Sequence, residues 1–550
     1  MNRVTTLLLP LAALGAALTA QAETSIPHLR AQGTATQLVV EGRPFLVRGG
    51  EIGNSTATNP EYLQQYWPKF AALKLNTILA PVYWHLIEPQ EGRFEFSTVD
   101  QLLAQARANK TRLVLLWFGS WKNSMSCYAP DWVKLDTKRF PRATDNNGVP
   151  QEILTPFSDE NRETDARAFR ALCRHLRETD AAQSTVIMIQ VENEIGMLPT
   201  ARDHSPLAER AYAAAVPEQL MAYFDTHRDE LVPEVMAAWR AAGGKRNGTW
   251  VEVFGTSPAA EEIFMAWHFA RYTDAVAMAG KTEHPLPMFV NAALNRPGHM
   301  PGQYPSAGPL PHLMDVWRAA GTGIDFLSPD IYYQAFGSWA RRYVRPGNPL
   351  FVPEAMRTQD AAVNGLYAIG GLEALGFSPF GIESIEGAAE KYLAASYGLL
   401  QQLEPLVLAA RGKGTMAGLL SEGVEQRAPQ QVRLGDYVLE ATFERGTPPP
   451  LPDGFIVPTG SAPAVPPPAG GLVIAIAPDE FFIAGSSLVV TFAPQAPNRR
   501  AGILNAEEGR FVEGRWENIL WLSGDQTHQG RHIRLEPGRF SIQRVKLYSY

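Results

Sequence analysis

The stretch Glu192-Asn193-Glu194 places two carboxyls and an amide side by side, directly after the apolar run Val186-Ile187-Met188-Ile189-Gln190-Val191. A second apolar run, Leu350-Phe351-Val352, ends in Pro353-Glu354. Carboxyls that meet across a cleft can divide acid–base and nucleophilic work, one giving a proton to a leaving oxygen while the other attacks carbon. Such a pair needs one group kept protonated by burial and by its neighbour's charge. Two readings of Glu192–Glu194 stay open from the residues alone: the mouth of a buried strand, or a helix N-terminus where Asn and Glu cap backbone N–H groups.

The surrounding pattern is apolar run, polar loop, amphipathic stretch, repeated. Strands are expected at Leu46–Glu51, Thr77–Trp84, Leu113–Phe118, Val186–Val191, Phe289–Ala293, Phe326–Tyr332, Leu350–Glu354 and Gly376–Gly381. Helical spacing covers Glu61–Leu73, Val99–Asn109, Asp165–Glu178, Glu218–Phe224, Leu231–Ala242, Glu261–Ala279 and Ala388–Arg411. Eight alternating units predict an α/β fold, a (β/α)8 TIM barrel over residues 23–412, led by a small hairpin that turns at Glu41-Gly42. In such a barrel the C-terminal strand ends carry the active site, which puts Glu194 and Glu354 on one face.

Beyond Gly414 the texture becomes short alternating runs among Gly, Pro and Ser, such as Tyr437, Leu439, Ala441 and Phe443, or Ile542, Val545 and Leu547 with a slip. Residues 413–550 therefore predict an all-β, β-sandwich-like accessory domain, with Pro448–Pro450 and Pro466–Gly471 as stiff loops.

With these elements in place, Gln190–Gly196 resembles the acid/base motif of glycoside hydrolase family 35, the β-galactosidases. Val82–Phe96, with Trp84-His85-Leu86-Ile87-Glu88-Pro89, is similar to the same group and to the related family 42. The resemblance covers roughly Leu46 to Gly381. It implies a retaining glycosidase with Glu194 as acid/base, Glu354 as nucleophile and Asn193 as donor to the sugar 2-hydroxyl, with Tyr332 or Tyr333 bonded to the nucleophile. It also implies exo action on a β-galactoside, a galactose side chain of a plant-wall glycan such as xyloglucan being the expected substrate. Two departures bear on the sugar. Gly50-Glu51-Ile52 runs into Gly53-Asn54-Ser55 where the family has a His-Tyr pair and an Arg, and strand three ends Ser120-Trp121-Lys122-Asn123 where the family has Cys-Ala-Glu-Trp. β-Glucosidase or arabinopyranosidase activity, or a non-catalytic carbohydrate-binding protein, stay as alternatives.

Trp84, Trp117, Trp121 and Trp267 are candidate platforms for sugar rings, whose C–H faces pack on indole. Glu51 and Asn291 end strands one and five and are candidates for sugar hydroxyls; Glu192 is expected to orient its neighbours or join an ion pair, and His85 and His268 to be structural. No spacing of His, Cys and carboxylates suggests a metal, and no cofactor motif occurs.

Composition narrows the partners. With 45% hydrophobic and 19% charged residues the chain must bury a large core, and a net charge of −7 without a basic cluster argues against nucleic acid. Arg3 precedes Leu7–Leu18 and the small-residue stretch Ala20-Gln21-Ala22, an expected signal peptide over residues 1–22. Export to the periplasm or the medium follows, with no membrane span expected in the mature chain. Cys127 and Cys173 are the two cysteines, and either pairing state is open. The oligomeric state is not legible.

Overall fold

The computed structural model describes residues 26–422, 428–444 and 466–550; the expected signal peptide and Pro448–Pro450 lie outside them. Eight parallel strands form the central sheet: Val47–Glu51, Thr77–Tyr83, Arg112–Lys122, Val186–Asn193, Met288–Ala293, Phe326–Ile331, Glu354–Ala355 and Gly376–Phe377. Hydrogen bonds from Val352 N to Gly376 O (3.2 Å) and from Glu51 N to Pro379 O (3.0 Å) bring the eighth strand onto the seventh and first, closing the ring. Strand four is buried at every residue, which is why it reads as a continuous apolar run rather than an alternation.

The helices cover the barrel's outer wall. Asp159–Asp180 starts on Ser158, whose side chain accepts from Asn161 N, and packs against Pro258–Lys281, itself capped by Ser257. The single helix expected over Glu61–Leu73 is instead two, Pro60–Gln64 and Trp67–Ala72. Pro68 explains the break: it lacks the N–H that a continuous helix would use, and it sits at the start of the second helix, where none is needed. The expected hairpin is present as Ala35–Val40 and Arg43–Phe45, joined through Glu41 and Gly42 at positive φ, with His28–Gln32 added as a third strand. Gln32 and Gln37 donate from this small sheet to Arg411 O and Leu408 O, at the C-terminal end of helix Gly387–Ala410.

The C-terminal region is two sheets face to face. Six strands lie in the order 416–420, 470–477, 480–486, 541–549, 501–512 and 515–521; four more lie in the order 430–434, 437–443, 488–494 and 532–535. Val473, Phe481, Ile483, Val545 and Leu547 of the larger sheet pack with Leu439, Val490 and Ile533 of the smaller one. The alternate residues Leu472, Ile474, Phe482, Ala484 and Ile542 join the barrel core beside Val363, Leu366 and Leu400. At strands 470–477, 480–486 and 541–549 the larger sheet is thus covered on both faces, whereas strand 515–521 is exposed. This accounts for the slip between Ile542 and Val545, which point to opposite sides, and it makes Gly470 and Gly471 strand residues rather than part of a loop.

Cys127 is exposed on the loop after strand three and Cys173 is buried in helix Asp159–Asp180; both are free thiols. Among the described residues, no helix is long and apolar enough to cross a membrane.

The barrel meets the sandwich backbone to backbone. A Cβ on Gly418 would lie 2.7 Å from Gly371 N and 2.8 Å from its Cα. Gly418→Ala is expected to lower stability by about 2 kcal/mol, because backbone atoms on both sides cannot give way. Gly398→Ala, within helix Gly387–Ala410 and with nothing within 4 Å of its added methyl, is expected to raise stability by about 1 kcal/mol through helix propensity. Thermal unfolding of the two variants checks both signs.

Candidate active site

Strand four ends at Asn193, and no helix begins before Pro206, so the helix-cap reading of Glu192–Glu194 gives way to the strand-mouth reading. Glu192 and Glu194 both take positive φ, and the backbone twist turns their side chains to different surroundings. Glu194 faces Glu354 and Asp330, the three offering carboxylate oxygens within 4.8 Å of one another. All three are buried at the C-terminal mouths of strands four, six and seven.

Donors arrange themselves around Glu354. Its Oε2 accepts from Tyr332 OH at 2.7 Å, and its Oε1 from Asn193 Nδ2 at 3.2 Å and Asn291 Nδ2 at 3.4 Å. The tyrosine question is thereby answered: Tyr333 OH points instead to Leu294 O at 3.4 Å. Asn291 also gives Nδ2 to Asp330 Oδ2 at 2.6 Å and accepts Glu194 N at 3.0 Å. It is a fully engaged brace between strands four, six and seven rather than a free hydroxyl reader. Glu51, wholly buried at the end of strand one, faces Glu354 and has no hydrogen-bonding donor on either oxygen among the described residues.

Three groups absent from the expected set, Lys122, Asn123 and Asp330, complete the mouth. Strand three pairs with strand four at Trp117–Val191 and again at Lys122–Asn193, so Phe118–Trp121 bulge outward opposite the single residue Glu192. The bulge returns Lys122 and Asn123 to the site: Asn123 Nδ2 donates to Glu194 Oε2, and Lys122 is buried with its ammonium 5.2 Å from the Phe118 ring centre. The cue in the sequence was the departure Ser120-Trp121-Lys122-Asn123; for Asp330 it was the same apolar-run-to-acid signature as Glu354.

Glu192 turns away from the site to hold that bulge. It accepts Trp121 N at 2.7 Å and lies against Asp165; burial first, and then that neighbouring carboxyl, push the Glu192 pKa well up. Asp165 accepts from Trp117 Nε1 at 2.9 Å and Ser120 Oγ at 2.6 Å. Gly119 passes directly over these groups; a Cβ there would come within 2.3 Å of Trp117 Nε1 and 2.7 Å of Glu192 Oε1. Glu192 forms no ion pair among the described residues, so its part is the orienting one.

The aromatic platforms need correction. Trp84, Trp117 and Trp121 are 0% exposed and Trp267 is 4% exposed, so none offers a face to a sugar. Their indoles serve the core, Trp84 Nε1 bonding Glu88 Oε2 at 3.0 Å and Trp121 Nε1 bonding Leu154 O at 3.1 Å. Their long apolar surfaces are worth more buried than exposed. The aromatic ring that reaches both the carboxyls and solvent is Tyr332, 40% exposed. His268 packs on Phe157 at a tilt and burial pushes its pKa down to about 3, and the half-buried His85 packs on Tyr83 and Tyr128.

Burial first, and then the charge of Glu354, lift Glu194 to a pKa of about 7; Lys122 opposes them. Glu51 and Asp330 are pushed up as well, again by burial and then by Glu354. Glu194, Asp330 and Glu354 form the group of three among the described residues that could gather around a cation. Donors from Asn123, Asn291, Asn193 and Tyr332 already occupy oxygens of all three, and Lys122 supplies positive charge nearby, so the donor set fits a proton-sharing cluster better than a metal centre.

Comparison with known proteins gives partial matches. Residues 54–240 match the glycoside hydrolase family 42 model, described as β-galactosidase; residues 393–534 match a domain family of unknown function. The first match includes Glu194 and stops before Glu354. A β-galactosidase of Xanthomonas manihotis is 40% identical over 87 residues, which is 16% of this chain and 14% of that protein. A β-galactosidase structure from Rahnella sp. R3 aligns at 16% identity and a TM-score of 0.45, covering 66% of this chain and 56% of that one. One from Bacillus circulans sp. alkalophilus aligns at 14% identity and 0.43, covering 65% and 56%. The chain thus spans about a seventh of the curated relative and just over half of each structure. The resemblance drawn from the motifs is met on its family 42 side, and family 35 membership is not what the matching model gives.

A carboxyl with a folded-state pKa above its unfolded value stabilises the fold while protonated; for Glu194 that contribution is complete below about pH 4.5 and is lost as pH rises through about 7. Glu194→Gln, which cannot ionise, is therefore expected to gain Tm relative to wild type steadily from pH 4.5 to about pH 8. Melting curves across that range check it, and a difference independent of pH would count against the buried, raised carboxyl.

Proposed function

We propose that this protein is a retaining exo-β-glycosidase, a β-galactosidase acting on terminal galactose of plant-wall side chains such as those of xyloglucan. The observation that carries the reading is the pair Glu194 and Glu354, with carboxylate oxygens within 4.8 Å of each other at the barrel mouth. Retaining enzymes hold their carboxyls about 5–5.5 Å apart, whereas inverting ones leave room for a water between them. The family 42 match across Glu194 supports the same class.

In this reading Glu354 attacks the anomeric carbon, forming a C–O bond as the bond to the leaving oxygen breaks, and Glu194 gives that oxygen its proton. Water then attacks the glycosyl–enzyme ester from the opposite side, losing its proton to Glu194, and the sugar departs with its original anomeric configuration. Tyr332 and Asn193, bonded to Glu354 in the free protein, hold its carboxylate in line; Asn193 then turns its amide to the sugar 2-hydroxyl. Glu51 and Asn123 are the remaining polar groups placed to read hydroxyls. Because strands one and three carry Glu51 and Lys122-Asn123, the same double displacement on another β-sugar is the second reading.

Leu7–Ala22 supports export as part of the proposal; a mature N-terminus at Glu23 in protein recovered from the periplasm or medium is the expected result, and retention of Met1 in the cytoplasm would oppose it.

A panel of nitrophenyl β-glycosides tests the function. Cleavage of the β-galactoside is expected, with the β-anomer appearing first by NMR and activity declining as pH rises past about 7, where Glu194 loses its proton. Glu354→Ala is expected to abolish turnover. Glu194→Gln should cost on the order of 10²–10⁴-fold on poorly activated leaving groups and less on strongly activated ones. Cleavage of a different glycoside alone would select the second reading, and full activity of Glu354→Ala would overturn both.

A further inference from the structure

Four carboxyls meet at the barrel mouth, and the proposed chemistry asks two of them for opposite protonation states. Glu51 contacts Glu354, and Asp330 contacts Glu194. Two carboxyls in contact cannot both be ionised without strong repulsion, so each such pair holds a proton. Glu354 has three donors, Tyr332, Asn193 and Asn291; Glu51 has none. Donors favour the charged form, so within the first pair the proton belongs on Glu51.

One cation faces all four. Lys122 comes from strand three through the Phe118–Trp121 bulge and is buried among the C-terminal strand ends. The carboxyls acting on it are Glu354, Glu194, Glu51 and Asp330, from strands seven, four, one and six. The other titratable groups around this cluster among the described residues are Tyr332 beside Glu354, Tyr343 near Asp330, and Tyr128 and Cys127 on the loop after strand three. Lys122 acts on the carboxyls through space and lies over the Phe118 ring, a contact that orients the ammonium without consuming its charge. One ammonium offsets one carboxylate. The charge of the site is then close to zero with Glu354 ionised and protons on Glu51, Glu194 and Asp330, which is the state that the first chemical step requires.

We infer that Lys122 is a positioning residue of this site, the counter-charge that lets Glu354 be ionised while its three carboxyl neighbours keep their protons. The inference rests on the glycosidase reading for its meaning and on the geometry of the cluster for its substance. It also gives the strand-three bulge a purpose: without its three extra residues, position 122 would not return to Asn193, and the four acids would lose the cation that faces them.

The test is the pH profile of kcat/KM for Lys122→Met and Lys122→Arg beside wild type. Removing the cation makes every carboxyl harder to ionise. Both limbs of the Lys122→Met profile are therefore expected to move to higher pH, on the order of one unit, with Lys122→Arg returning them toward wild type. A merely structural lysine would lower activity while leaving the limbs in place, and that result would overturn the inference. A readout free of turnover runs alongside: the carboxylic C=O infrared band of the full chain, titrated with pH and assigned by its loss in Glu194→Gln. The Glu194 band is expected to persist to higher pH in Lys122→Met. If no glycoside is cleaved, the function fails but the infrared titration still decides on Lys122, an unmoved band counting against it.

Discussion

Burying acids is the constraint on which this molecule is organised. Glu51, Glu194, Asp330 and Glu354 are withdrawn from water at one end of the barrel, where an uncompensated carboxylate is costly. The structure answers with amide and phenol donors, with carboxyls whose mutual contact favours their protonated forms, and with Lys122. The same crowding that makes the site expensive to fold lifts Glu194 to a pKa of about 7, a value suited to giving and then taking a proton near neutrality.

Such a cluster works only if its members cannot relax apart, and the supports are backbone-borne. The carboxyls sit on strand ends in a closed parallel sheet, and Asn291 ties strands four, six and seven together through three contacts. Strand three is the exception to regularity. Its bulge is held from behind by the Asp165–Glu192 pair under Gly119, where any side chain would collide with both acids. A second buried carboxyl pair, with no part in the proposed chemistry, thus positions the lysine and the asparagine of the first.

The C-terminal sandwich is joined to the barrel by apolar burial rather than by a tether. Its six-stranded sheet uses one face for its own core and the other for helices Ala361–Leu372 and Gly387–Ala410, the helices around the seventh and eighth strands. The close approach of Gly371 and Gly418 sets the spacing. Sandwich and barrel wall are thereby one packed unit on the flank that carries Glu354 and Glu51.

What could be read from the chain by itself was whatever depends on local pattern. Eight apolar runs give eight strands in order, because a strand covered on both faces must be apolar throughout, and the abrupt change to Glu or Asn at their ends marks the mouth for the same reason. Glu194, Glu354, Asn193, Glu51 and Asn291 were legible this way. Packing decided the rest. Whether a tryptophan beside the mouth turns inward or outward depends on what other elements leave space for it, and Trp84, Trp117 and Trp121 all turned inward. Tyr332 and Tyr333 are neighbours in the chain, and only the ring geometry separates the one that reaches Glu354 from the one that reaches Leu294. Lys122, Asn123 and Asp330 gained their place from a bulge and from strands six and seven lying side by side. Those are facts of tertiary structure, because charges separated by hundreds of residues interact only once folding has excluded the water between them.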